Sequence, residues 1–168
     1  MDDNTPESWF ERMSAHLGVI VAAVALVSFI GMLISTWSQV LFRHLELSVD
    51  WTEELARVLL LVSVFFGIAI AIREKKHIVI DFLMNRLPGP GAVALRLAFD
   101  ALILVFLAFL LRGAVTMVEV TWESYMIALN WMRTGHIYLA ECIAIAVMMV
   151  YVLADVLAGI RQLKEPGQ

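Results

Sequence analysis

Few residues in this sequence are of types that do chemistry, and their spacing limits what that chemistry can be. Glu53, Glu54 and Arg57 form a Glu-Glu-x-x-Arg cluster, with Glu53 and Arg57 at the i,i+4 spacing where helical neighbours share charge. Arg73, Lys75 and Lys76 form a cationic patch, followed by His77 and Asp81, again four apart. Arg96 and Asp100 repeat the spacing, while Arg112 and Glu141 stand alone at the edges of long apolar runs. Two groups such as His77 and Asp81 are too few to hold a metal. The single Cys142 excludes an intrachain disulfide and a cysteine-rich metal site, and its apolar surroundings make it a small core residue. A b-type haem needs two histidines facing each other at one depth, whereas His16, His44, His77 and His136 all fall at or beyond the ends of the apolar runs. The pattern suits charge pairing at boundaries. It assigns no catalytic, metal-binding or substrate-binding residue, no cofactor and no nucleic-acid partner.

The elements that carry these residues are apolar. The chain has 168 residues, 61% hydrophobic and 17% charged, too little charge for a soluble domain of this size. Its mean hydropathy is +0.85. Residues Leu17 to Trp37 form an uncharged block of 21, long enough to cross a bilayer. Four such blocks, about 17–37, 52–72, 93–116 and 137–158, predict an all-α integral membrane protein with four transmembrane helices in a single domain, 1–168. A short amphipathic interfacial helix, about 77–87, is expected after the second block, because Ile78, Val79, Phe82, Leu83 and Leu87 recur at helical spacing before Pro88-Gly89-Pro90-Gly91 breaks the chain.

The second block poses a problem of length. Val58 to Ile72 is uncharged for only 15 residues, ~22 Å of helix against a hydrocarbon core of ~30 Å. To span, the helix must start near Thr52, and Asp50 with Glu53 has the N-cap to N3 spacing of a capping box. Glu53 and Glu54 then favour the positive end of the helix dipole, and Arg73, Lys75 and Lys76 the negative end. Arg57, about one turn inside the boundary, must snorkel or face protein.

Orientation follows from the cations. Arg12, Arg73, Lys75, Lys76, Arg86, Arg96, Arg161 and Lys164 lie on one side, against Arg43 and Arg133 in the opposite connections. This bias predicts cytoplasmic N- and C-termini. The acidic start, with Asp2, Asp3, Glu7 and Glu11, lacks the basic region of a cleaved signal, so the first helix is expected to be retained. Trp9, Trp37, Trp51, Trp122 and Trp131 lie near the boundaries and read as interface anchors.

Two polar belts are expected. Glu53, Glu54, Arg57, Arg112 and Glu141 are candidates for an outer network that fixes helices within this chain or to another subunit, with Glu119, Glu123 or Glu141 as possible partners for Arg112. Arg96 and Asp100 would pair on the inner side, with Asp155 at the matching end of the fourth block. No acid falls in the central portions of the four blocks, and no broken helix or half-to-half repeat exposes backbone to a solute, so transport by this chain alone is not expected. Two competing readings are a haem-b anchor of a respiratory complex and a self-associating membrane protein. Gly-x-x-x-Gly motifs that would favour the second are absent from the blocks.

Residues 51–88 carry a more specific pattern: "WTEELAR", an apolar run with Phe66-Gly67, then "AIREKKHIVIDFL" and a closing Leu-Pro. Together Trp51, Glu53, Glu54, Arg57, Gly67, Arg73, His77, Asp81 and Pro88 resemble the small, Q-type (DctQ-like) membrane subunit of tripartite ATP-independent periplasmic (TRAP) transporters. Block order and length agree along the whole chain. The resemblance implies a bacterial inner-membrane accessory subunit, paired one-to-one with a large membrane transport subunit and served by a periplasmic substrate-binding protein. It implies sodium-coupled uptake of organic acids, such as C4-dicarboxylates or sialic acids, with the small subunit as a fixed brace. The fourth block departs from many relatives in having no proline near its outer end and Glu141 there instead.

Overall fold

The computed structural model describes residues 6–47, 49–74 and 90–164. Four helices make up almost all of it: α1 Pro6–His44, α2 Trp51–Arg73, α3 Pro90–Thr121 and α4 Thr134–Lys164. Each contains a stretch long and apolar enough to cross a membrane. Among the described residues there is no strand, only one isolated bridge between Tyr125 and Arg133. The expected interfacial helix at 77–87, with Lys75, Lys76, His77 and Asp81, lies outside the described residues.

The helices run past the apolar blocks because charge does not end a helix; a breaker or a cap does. Pro6 and Pro90 each open one, a position where the missing N–H costs nothing. With 39 residues, α1 is ~58 Å long. It stops in a Schellman turn: the Leu47 N–H donates to the Phe42 carbonyl at 3.0 Å, the Glu46 N–H donates to Arg43 at 3.3 Å, and Glu46 takes a left-handed φ of 56°. No glycine marks this stop, which is why hydropathy alone placed the end near Trp37.

At α2 the expected start is right in place but not in mechanism. Asp50 has helical φ and ψ of −77° and −24° and makes no side-chain capping bond, so the capping box with Glu53 is not formed. From that conformation the carboxylate cannot fold back onto the first free N–H groups. Instead the Thr52 hydroxyl donates to the Val49 carbonyl at 3.0 Å.

The four helices form a row. α1 packs on α2, α2 on α4 and α4 on α3, and among the described residues no other pair of these helices meets. The connections 45–50 and 122–133 share one end of the row, here the loop end; the ends of α2 and α4 and the start of α3 share the other. Close approach along α1 comes from small residues: Gly18, Val21, Ala25, Ser28 and Ser35 are buried, and a Cβ on Gly31 would lie 3.1 Å from Leu59. In lipid such close packing, not apolarity, drives helix association. Ser35 adds a buried bond, its hydroxyl donating to the Thr52 carbonyl at 2.7 Å. α4, with a neighbour on each side, carries the densest core: Ala144, Ile145, Met148, Tyr151 and Val152.

Candidate functional site

At the loop end the expected outer network divides. Arg57 donates to Glu53 at 3.0 Å, as its spacing predicts, and Gln39 of α1 reaches the other Glu53 oxygen at 3.5 Å. Glu54, one residue on, points to a different partner altogether. Its Oε2 accepts the backbone N–H groups of Ala128 and Leu129 at 2.9 and 3.0 Å, tying the 122–133 connection to the first turn of α2. Two charge-assisted bonds to successive amides give this carboxylate a firm grip.

That connection is packed. Arg133 lies 5.3 Å from the Tyr125 ring centroid and 5.8 Å from that of Trp122, and it donates to the Tyr125 hydroxyl at 3.3 Å. The Arg133 N–H donates to His136 Nδ1 at 3.2 Å, and the His136 ring lies 5.6 Å from Trp122. Leu129 is buried beneath. Trp122 is therefore a packing residue as well as a boundary one, though like Trp37, Trp51 and Trp131 it keeps an exposed edge. From the sequence Arg133 counts only toward orientation and Tyr125 carries no reading; the local signal for this cluster is an arginine among three aromatic residues.

At the opposite end Arg96 reaches Asp100 and, across the α3–α4 contact, Asp155, both at 3.9 Å. The Arg73 side chain of α2 packs over Gly18 of α1, where any side chain at position 18 would obstruct it.

Arg112 joins neither cluster. It is exposed and makes no ion pair among the described residues, with Glu119, Glu123 and Glu141 all out of reach. Its position around α3 explains this: it lies ~140° from Leu107 and ~160° from Ala114, the buried residues of the face toward α4.

Glu141 lies deeper than its distance from the start of α4 suggests. It is half-buried beside Leu61, Val62, Phe65 and Ile137, and Val62 is the middle residue of α2. The 122–133 connection climbs beside the first turn of α2, so α4 begins lower than α2 does, and a residue two turns into α4 is level with the middle of its neighbour. Glu141 is not central in its own block, yet measured along α2 it sits level with mid-helix.

The histidines do not converge. His136 is engaged with Arg133 and Trp122 at the loop end, His16 lies at the far end, and His77 is outside the described residues. Among the described residues no three potential metal ligands cluster. Charges that hold backbone, helices and loops, on four membrane-length helices in a row, define a multi-pass membrane protein.

Comparison with known proteins gives the family. Residues 32–162 match the family described as tripartite ATP-independent periplasmic transporters, DctQ component. The chain belongs to this family, one of transporter subunits and not of enzymes, and is a multi-pass inner-membrane protein. It is similar to a putative TRAP transporter small permease protein of Haemophilus influenzae, 22% identical over 125 residues, 74% of this chain and 72% of the relative. A second Haemophilus influenzae protein of the same description is 28% identical over 79 residues, 47% of this chain and 45% of the relative. The sialic acid TRAP transporter small permease protein SiaQ of Vibrio cholerae is 38% identical over 55 residues, 33% of this chain and 32% of the relative.

Proposed function

We propose that this chain is the small, non-transporting subunit of a sodium-coupled TRAP transporter for organic acids, and that it braces a large membrane transport subunit at one-to-one stoichiometry. A periplasmic binding protein delivers the solute, of the C4-dicarboxylate or sialic-acid class; the sialic-acid relative supports the second through a short match. The loop end faces the periplasm and both termini the cytoplasm, in keeping with the cation bias.

The row of helices carries this reading. Among the described residues α1 meets neither α3 nor α4, and this open row supports a bracing role over a path for solute. Within the most apolar window of each span only 22%, 17%, 11% and 33% of the residues are buried, in chain order. Both faces of the row are left to lipid or to another membrane protein. A flat apolar layer with an ordered rim suits lateral support of a larger body.

Reconstitution tests it. Vesicles holding this chain, the large subunit and the binding protein should take up labelled dicarboxylate or sialic acid under a sodium gradient, and vesicles with this chain alone should take up none. Uptake by the chain alone, or full uptake without it, overturns the proposal.

A further inference from the structure

Glu141 is the side chain whose setting neither the fold nor the proposed role explains. It makes no hydrogen bond or ion pair among the described residues. Every residue around it in its notch is apolar: Leu61, Val62 and Phe65 from α2, and Ile137 one turn back on α4. The cation of α3 nearest in depth does not help. Leu97 beside Gly159 and Trp122 beside Gly135 set the register of α3 on α4, and counting between them puts Arg112 about one turn from Glu141. Arg112 projects from the opposite face of α3, as shown above, and cannot turn back.

A carboxyl at this depth has three fates: to face a water-filled space, to be protonated in lipid, or to meet a donor on another protein. The notch holds about 10 Å³, room for a single water-sized group. That is too small for an aqueous pathway or a solute. A compact ammonium fits where a planar guanidinium does not.

We infer that Glu141 is the polar docking point of this row for the large membrane subunit, receiving one lysine-type ammonium from a helix of that subunit laid against the α2–α4 junction. The inference rests on the proposed role as a small subunit and adds to it a site and the chemistry of its occupant. Charge complementarity selects the occupant: an unpaired carboxylate among apolar side chains attracts a cation far more strongly than lipid does, and pairing removes the cost of leaving it bare.

The probe is dicyclohexylcarbodiimide, an apolar reagent that captures protonated carboxyls in apolar surroundings. Membranes carrying the full chain with its large subunit, and membranes carrying it alone, are treated in parallel, and the Glu141 peptide is read by mass spectrometry. Modification should be about tenfold lower when the large subunit is present, because an ion-paired carboxylate does not react. Equal modification in both membranes while the subunits still co-purify overturns the inference and leaves the proposed role standing. Failure of the unaltered chain to co-purify with the large subunit overturns the role and the inference together. As a second measurement, Glu141→Lys should lower recovery of the complex by about tenfold and Glu141→Asp by far less. Undiminished recovery with Glu141→Lys contradicts the docking point.

Discussion

Two carboxylates of this chain, Glu54 and Glu141, stand in opposite settings. Glu54 stands in the first turn of α2 and accepts two backbone N–H groups from a connection 74 and 75 residues further on. Glu141 stands level with the middle of α2, among apolar side chains, with no bond to the rest of the described chain. One is used up by the fold; the other is left over. A group satisfied within the chain contributes to its stability, whereas a group left bare in an apolar notch weakens the isolated chain and becomes useful only when something else covers it. The loop end is thus self-sufficient, and the α2–α4 junction is not.

The largest effect should come from reversing that contrast. Glu54→Leu strands the amides of Ala128 and Leu129 and should cost about 3 kcal/mol. Glu141→Leu should instead stabilise the isolated chain by about 1 kcal/mol, because it removes a polar group left without a partner in an apolar notch. Denaturant titration of the two variants in one detergent makes the comparison, and equal losses would erase the distinction drawn here.

A smaller effect is expected at Gly135, where a Cβ would come within 3.0 Å of the Trp122 ring and 3.1 Å of its Cα. Backbone cannot move aside as a side-chain tip can, so Gly135→Ala should cost about 1 to 2 kcal/mol. Amide exchange should quicken in residues 122–133 and stay unchanged at the α1–α2 seam. Uniform quickening would mean that the loop end is not a unit of its own.

The 45–50 connection can be improved. Glu46 holds a left-handed φ of 56°, a strain of about 1 kcal/mol for any residue with a Cβ, so Glu46→Gly should raise the thermal midpoint in detergent. A lower midpoint would show that the Glu46 side chain contributes more than its backbone strain removes.

Least of all should follow from Arg57→Ala. Arg57 and Glu53 are both mostly exposed, 67% and 61%, and an exposed i,i+4 pair contributes about 0.5 kcal/mol or less. If Arg57→Ala instead lowers recovery of the complex with a large subunit, the pair belongs with Glu141 as a contact for the partner and not with Glu54 as part of the fold.

Much of this architecture was legible from the residues, and the division follows the range of the interactions. Helical character, the four long apolar stretches, and the Glu53–Arg57 and Arg96–Asp100 pairs are local, set by 3.6 residues per turn and by a bilayer that satisfies no backbone group. The family pattern of residues 51–88 is local too. What depended on distant parts of the chain was misread or unseen: the shared grip of Glu54 on two amides, the isolation of Arg112 and the depth of Glu141; the Schellman turn at Glu46 is local but has no glycine to mark it.

The reason is physical. Against lipid and against a neighbouring helix a membrane helix presents equally apolar faces, so hydropathy by itself determined that these segments cross a membrane but not which sides touch. Small residues such as Gly18, Gly31 and Gly135 set how closely helices approach, and the packed 122–133 connection lowers α4 relative to α2. Only that assembled offset placed the Glu141 carboxyl beside Val62, in mid-helix, without a partner of its own.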